Sequence, residues 1–226
     1  MTASGDAQRL EPLRAMQRAL QGLYGLPHCM DVAEFVTTDA TWAHAMLGEP
    51  ERAIGESVFV RSEGDALDLS VYLDANLLGR LAAAETGAQP ALDLNDLCMA
   101  LEGVSHFLYI VTRAMASRQT TPFELELQAE VDKFLVLSRL SAFDDSVPAD
   151  RIHHCLFEAT TLRPGMDGTI AQRYLDANRY AGKYCRYLRA NYHGCSNDTA
   201  RLYDELYCFY RLPQPEKVSH IERRGG

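Results

Sequence analysis

The stretch Ser57–Val71, with the sequence SVFVRSEGDALDLSV, holds the clearest β-strand pattern in the chain. The residues of its alternating apolar face are Val58, Val60, Leu67, Leu69 and Val71. Glu63-Gly64-Asp65 lies between the two alternating halves and supplies a turn. The stretch therefore predicts a β-hairpin with one apolar face and one solvated face.

Short elements flank this hairpin on both sides. Upstream, leucines at helical spacing predict a helix over Leu10–Leu23, followed by a strand over Val32–Thr37 and a short helix capped by Asp39. Downstream, Asp74 is in position to cap a helix that passes through Leu81. The first third of the chain is therefore predicted to combine a small sheet with short helices.

Longer helices are predicted over the rest of the chain. One helix spans about 94–116, and the next begins with the capping-box signature of Thr121, Pro122 and Glu124 and continues to about Leu140. The further predicted helices start near Ala149, cover about 169–192 and pass through Tyr210. After Pro213 the chain is polar and is predicted to be loose.

These elements predict an α+β fold that is predominantly helical, with a small antiparallel sheet in the N-terminal third and a helical C-terminal part packed on it. The predicted division has an acidic α+β domain at 1–148 and a basic, tyrosine-rich helical part at 149–212. Residues 213–226 are predicted to form a flexible tail. The C-terminal part is near the lower size limit for an independent core, which favours its packing on the first domain.

Charge is divided unevenly along the chain. Residues 1–150 hold 10 Lys and Arg against 23 Asp and Glu, a formal charge of −13, whereas residues 151–226 hold 12 against 8, or +4. The predicted helix at 169–192 carries much of the basic excess and several tyrosines. Its candidate contact residues are Arg173, Arg179, Tyr180, Lys183, Tyr184, Arg186 and Tyr187. Guanidinium groups beside aromatic rings suit a protein partner, a nucleotide or single-stranded nucleic acid, or neutralisation of the acidic domain itself.

Composition excludes some classes of protein. The net charge of −9 argues against a protein that coats nucleic acid along its whole surface. No apolar run has the length of a transmembrane helix and the N-terminus has no signal-peptide pattern, so the sequence predicts a cytoplasmic protein without a membrane partner, whose six cysteines are mostly reduced. No nucleotide-binding loop, nucleophile elbow or zinc-finger spacing is present in the sequence.

Two neighbouring helices carry a candidate catalytic cluster. Glu102 and His106 are an i,i+4 pair on the helix at 94–116, and Glu126 and Glu130 share a face of the next helix. If the two helices form an antiparallel hairpin, these side chains converge as a metal or acid–base site, with Lys133 and Arg113 steering an anionic substrate. The alternative is that each polar stripe is the solvated side of an amphipathic helix.

The C-terminal part also offers ligands for zinc. The candidates are His153, His154, Cys155, His193 and Cys195. Because no Cys-x-x-Cys pair is present, this prediction depends on the number of ligands and not on their spacing. His193 and Cys195 lie in a predicted turn, where ligands are geometrically free, whereas Cys185 and Cys208 lie within helical patterns and suit a core.

The leading hypothesis is a non-enzymatic interaction subunit that binds a protein partner through its basic helix. A metal-dependent or acid–base enzyme built on the Glu/His cluster is the alternative from another class, and binding of single-stranded nucleic acid or a nucleotide is a third. The residues specify no cofactor, substrate or oligomeric state.

Overall fold

The computed structural model describes residues 8–28, 30–48, 55–63, 66–85, 93–141, 149–159, 167–192 and 196–224. The strands within these ranges are β1 (Val36–Thr37), β2 (Glu56–Glu63) and β3 (Ala66–Leu73). The helices are α1 (Glu11–Tyr24), α2 (Ala40–Leu47), α3 (Ala75–Glu85), α4 (Leu94–Met115), α5 (Pro122–Ser141), α6 (Ala149–Phe157), α7 (Gly168–Asn191), α8 (Ser196–Arg211) and α9 (Gln214–Arg224). The α+β, mostly helical class predicted from the sequence is therefore confirmed.

The described residues form two compact units. The first consists of Met1–Ala19 and His28–Thr112, and the second of Leu20–Pro27 and Arg113–Gly226, so helices α1 and α4 each contribute to both units. The domain limits predicted from the sequence remain a prediction.

The first unit holds the sheet, whose strand order is β1-β3-β2. Strands β2 and β3 form the predicted antiparallel hairpin, with Val58 opposite Val71 and Val60 opposite Leu69. The two central residues of the predicted turn, at 64 and 65, lie outside the described residues. Only one end of the apolar face is covered: Val71 is fully buried, whereas Val60 is 49% exposed.

The strand predicted over Val32–Thr37 is only partly a strand. Val32–Glu34 forms a 3-10 turn instead, because the Asp31 carboxylate accepts a hydrogen bond from the Ala33 amide at 3.0 Å and caps it. The two remaining residues form β1, which runs parallel to β3 with Val36 opposite Val71. The sheet is therefore mixed and not purely antiparallel.

Several predicted caps are present where the sequence placed them. Asp39 accepts from the Trp42 amide at 3.0 Å, and Asp74 accepts from the Leu77 amide at 3.1 Å. In the capping box of α5, the Thr121 amide donates to Glu124 at 2.9 Å while the Glu124 amide donates back to the Thr121 hydroxyl at 3.1 Å. These local bonds fix where the helices begin.

The second unit is a helical core in which α5 packs against α6 and α7, and α7 also contacts α9. Its fully buried apolar side chains include Leu127, Val131, Ala177, Ala181, Cys185, Leu206 and Phe209. Helix α9 corrects the expectation of a loose tail after residue 213. Ile221 and Lys217 of this helix are fully buried, and burying one apolar stripe stabilises a segment whose overall composition is polar.

Candidate metal centre

Three potential metal ligands converge in the first unit: Glu56 at the start of β2, and Glu102 and His106 on α4. One ligand atom of each lies within 4.8 Å of the other two. The His106 Nδ1 and Glu56 Oε1 atoms are 3.7 Å apart, and these two side chains are only 10% and 9% exposed. Carboxylates and an imidazole are thus held together in a largely water-excluded place.

Strand β2 and helix α4 together position the three potential ligands. Helical periodicity places Glu102 and His106 on one face, since they are four residues apart. Because glycine has no side chain, Gly103 lets β2 approach this face of α4 closely. A Cβ atom there would lie 3.2 Å from both Glu56 Cγ and Val71 Cγ1, which is tighter than about nine in ten such contacts, so both side chains would have to shift by a few tenths of an ångström. Glycine at this position therefore makes room for the third ligand.

Two carboxylates and one histidine form a ligand set that suits divalent first-row metals such as Mn²⁺, Fe²⁺ and Zn²⁺. Three atoms within 4.8 Å of one another fit around a centre at most about 2.8 Å from each, compared with about 2.0–2.2 Å for zinc bonds to nitrogen and oxygen. Movements of less than about 1 Å would bring all three atoms to bonding distance. Three protein ligands also leave positions for water or substrate, as catalytic sites do.

The structure places Glu102 and His106 together, as predicted, but the third potential ligand is Glu56 and not Glu126 or Glu130. Glu126 and Glu130 belong to α5 in the second unit and are not members of the ligand group found among the described residues. Glu126 is 7% exposed, and the Glu130 carboxylate accepts from the Lys133 ammonium at 2.9 Å.

The polar stripes of α4 and α5 are not solvated sides. His106, Tyr109 and Arg113 are each less than a tenth exposed, and so are Glu126 and Lys133. These helices are covered nearly all round, so their polar residues are matched by interior partners. Arg113, for example, donates to Glu124 at 2.9 Å in a buried ion pair within the second unit.

Sequence reasoning missed Glu56, because an acidic residue at the start of a strand carries no signal of its own. The signal lies in the glycine at 103, next to Glu102 in the middle of a long helix. Glycine costs about 1 kcal/mol relative to alanine in a helix interior, so its presence indicates a close approach by another element.

The predicted contact residues of α7 divide into two groups. Lys183, Tyr184, Arg186 and Tyr187 have partners inside the second unit. Lys183 lies 3.1 Å from Glu222, Arg186 lies 3.7 Å from Glu158, and the Tyr187 hydroxyl accepts from Arg224. Tyr184 is fully buried and its ring stacks on Phe209 at 3.9 Å. Tyr184 therefore belongs to the core of the second unit, whereas Lys183 and Arg186 form ion pairs that remain accessible to solvent.

The second group lies on the N-terminal half of α7. Arg179 is 54% exposed in its side chain, pairs with Asp176 at 3.4 Å and stacks on the Tyr180 ring at 4.5 Å. Arg173 has no ion-pair partner among the described residues. Leu175, on the same half, is 48% exposed. This half keeps both charge and apolar area accessible.

The predicted zinc ligands behave as helix residues where they are described. His153 is buried against Phe134 and Phe157, and its Nε2 atom is 3.0 Å from the Gly182 carbonyl oxygen. His154 is exposed, with Nδ1 at 3.0 Å from Glu158, and Cys155 is a half-buried free thiol. His193 and Cys195 lie outside the described residues.

A buried polar network that the sequence did not predict lies in the second unit. Lys217 is fully buried and donates from Nζ to Gln128, which itself donates to Asp132 at 2.8 Å and to the Tyr24 hydroxyl at 3.0 Å. The Tyr24 hydroxyl also donates to Asp132. Burial lowers the pKa of Lys217 from 10.5 to about 7, despite the opposing effects of Asp132 and Glu124.

Comparison of the chain with known protein families, curated proteins and solved structures finds no match. Within the described ranges, every helix is too short or too polar to cross a membrane.

Proposed function

We propose that this protein is a metal-dependent enzyme whose divalent metal is bound by Glu56, Glu102 and His106. The observation that carries the proposal is the convergence of these three ligand atoms from a strand and a helix within 4.8 Å. Gly103 supports it, because a side chain at this position would crowd Glu56 and Val71.

Burial supports a cation at this place. A carboxylate removed from water is costly unless a proton, an ion pair or a metal compensates it, and a divalent ion compensates two carboxylates at once. A metal bound by three protein ligands holds water at its open positions and lowers the pKa of that water, which supplies a hydroxide nucleophile near neutral pH. Hydrolysis is therefore the reaction class that we propose.

Isothermal titration of the full chain with Mn²⁺ and Zn²⁺ tests the site. We expect binding of one ion per chain, and at least a tenfold loss of affinity in both Glu56→Gln and His106→Asn, because each removes one of three ligands. Glu85→Gln removes an exposed carboxylate of the same unit and is the matched control. No binding by the unaltered chain, or equal affinity in all four proteins, would disprove the proposal.

Activity is tested next, with p-nitrophenyl esters and phosphates in the presence of the ion that binds. Metal-dependent hydrolysis that is lost in Glu56→Gln and kept in Glu85→Gln supports an enzyme. Metal binding without turnover of these compounds limits the proposal to a metal-binding protein.

A second proposal, an interaction subunit, keeps support from the N-terminal half of α7. Arg173, Arg179 and Tyr180 lie on the same stretch of the helix as Leu175, which is 48% exposed, and basic, aromatic and apolar side chains together suit an acidic protein surface. Arg173→Glu with Arg179→Glu should release a co-purifying partner, whereas Arg223→Glu on α9 should not. Retention of the partner by the double variant would remove this surface from consideration.

A further inference from the structure

A second candidate binding site lies wholly within the second unit. It is an open surface cavity of about 510 Å³ where the end of α4, the end of α8 and the start of α9 meet, and its lining includes Arg113, Arg118, Arg211 and Glu216. Cavities of about 300–1,000 Å³ are of the size that small molecules occupy. Three arginines and one glutamate therefore line the same cavity.

The backbone at the end of α4 directs two of these guanidinium groups to one point. Ser117 adopts a left-handed conformation with φ of 51°, and the Arg118 amide donates back to the Arg113 carbonyl at 2.9 Å. Arg113 and Arg118 then both donate from Nη1 to the carbonyl oxygen of Arg211, at 3.3 and 2.9 Å. Two positive side chains therefore share a single neutral acceptor.

The third guanidinium group is held rigidly. Arg211 donates from Nη1 to the Tyr24 and Tyr207 carbonyl oxygens at 3.1 and 2.9 Å, and its guanidinium group lies 3.4 Å from the centre of the Tyr207 ring. Arg211 and Arg118 both donate to backbone carbonyl oxygens. Among the described residues, neither arginine has a carboxylate within ion-pair distance. Two positive charges at this cavity are therefore not neutralised by ion pairs.

The carboxylates near the cavity balance only part of this charge. Glu124 forms the buried ion pair with Arg113 at 2.9 Å. Glu216 is exposed in the first turn of α9, where the positive end of the helix dipole partly offsets its charge. Crowding of guanidinium groups is costly without an anion, and planar guanidinium groups are well suited to phosphate oxygens.

The rest of the lining indicates what the anion is attached to. Leu212 and Pro213 contribute apolar surface to the cavity, whose volume is several times that of a phosphate ion. From this combination we infer that the cavity binds a small organic phosphate monoester, with the phosphate at Arg118 and Arg211 and the organic group against Leu212 and Pro213.

The test is a titration of the ¹⁵N-labelled full chain with phenyl phosphate at constant ionic strength, followed by NMR. We expect saturable shifts of the backbone amide signals of Leu212, Gln214 and Glu216, with a Kd of about 1 mM or below. Arg118→Gln should weaken binding about tenfold, because it removes a charge-assisted hydrogen bond from an exposed position without disturbing the core. Arg223→Gln, which removes an exposed arginine from α9, should leave the Kd unchanged.

Glu216→Gln adds a result of the opposite sign. Because it removes the carboxylate at the rim, it should strengthen binding several-fold. No saturable shifts up to about 20 mM phenyl phosphate, or equal affinities in Arg118→Gln and Arg223→Gln, would overturn the inference. Inorganic phosphate that binds as tightly as phenyl phosphate would overturn the role given to Leu212 and Pro213.

Discussion

Replacing Lys217 by methionine tests the buried network of the second unit, because the lysine is fully buried and its pKa is lowered from 10.5 to about 7. Lowering the pKa of Lys217 from 10.5 to about 7 means that burying the protonated lysine reduces the free energy of unfolding by roughly 5 kcal/mol. This full penalty applies below about pH 7, where both the folded and the unfolded chain carry the proton. Methionine has a similar volume and no charge, which removes this penalty.

The free-energy penalty of burying Lys217 becomes smaller as the pH rises. Between about pH 7 and 10.5 the unfolded chain keeps the proton on Lys217 while the folded chain has released it, so the free energy of unfolding rises with pH. From pH 7 to pH 9 this residue alone should contribute a rise of about 2 kcal/mol. Lys217→Met lacks that contribution, although it leaves the Gln128 oxygen without its donor, at a cost of about 1–3 kcal/mol.

Urea unfolding of both proteins at pH 6, 7, 8 and 9 measures the difference. We expect the advantage of Lys217→Met over the unaltered chain to fall by about 2 kcal/mol between pH 7 and 9. Lys183→Met removes an accessible lysine of the same unit and controls for the loss of a charge. An advantage that is the same at every pH would refute the argument that Lys217 is buried without its proton.

Three further predictions follow from individual contacts. Gly103→Ala should lower metal affinity several-fold in a calorimetric titration, because its Cβ would push Glu56 by a few tenths of an ångström, and unchanged affinity would show that the ligand tolerates this crowding. Tyr184→Ala should destabilise the protein by about 3–5 kcal/mol in urea unfolding, since the ring is fully buried against Phe209. A loss below about 1 kcal/mol would show that Tyr184 is not part of the core. Thr121→Ala should cost about 1 kcal/mol by the same measurement, because it removes the capping bond to the Glu124 amide, and no loss would show that the cap is dispensable.

Local patterns predicted the local structure well. The alternation through Val58 and Leu69 placed the hairpin, and the capping residues Asp39, Asp74 and Thr121 placed helix starts, because each depends on neighbours within a few residues along the chain. The predictions at Val32–Glu34 and in α9 were wrong for two different reasons. In the first, a side-chain cap prevailed over strand preference, and in the second, burial stabilised a segment whose composition is polar.

The candidate metal site was only half predictable. Glu102 and His106 share a helix face, so their spacing in the sequence was sufficient. Glu56 lies 46 positions before Glu102, and the contact between them depends on the approach of β2 to α4 at Gly103, which no local pattern encodes. Tyr184 was predicted to lie on a contact surface but is fully buried, because a tyrosine on a basic helix is equally compatible with a surface and with a core.

Anomalous diffraction from a crystal of the full chain grown with Mn²⁺ or Zn²⁺ shows directly whether Glu56, Glu102 and His106 bind a metal ion. We expect one anomalous peak between these three side chains, with ligand distances of about 2.0–2.2 Å, and no such peak in Glu56→Gln. An empty site with the His106 ring bonded only to protein groups, or a peak elsewhere, would contradict the proposed metal site.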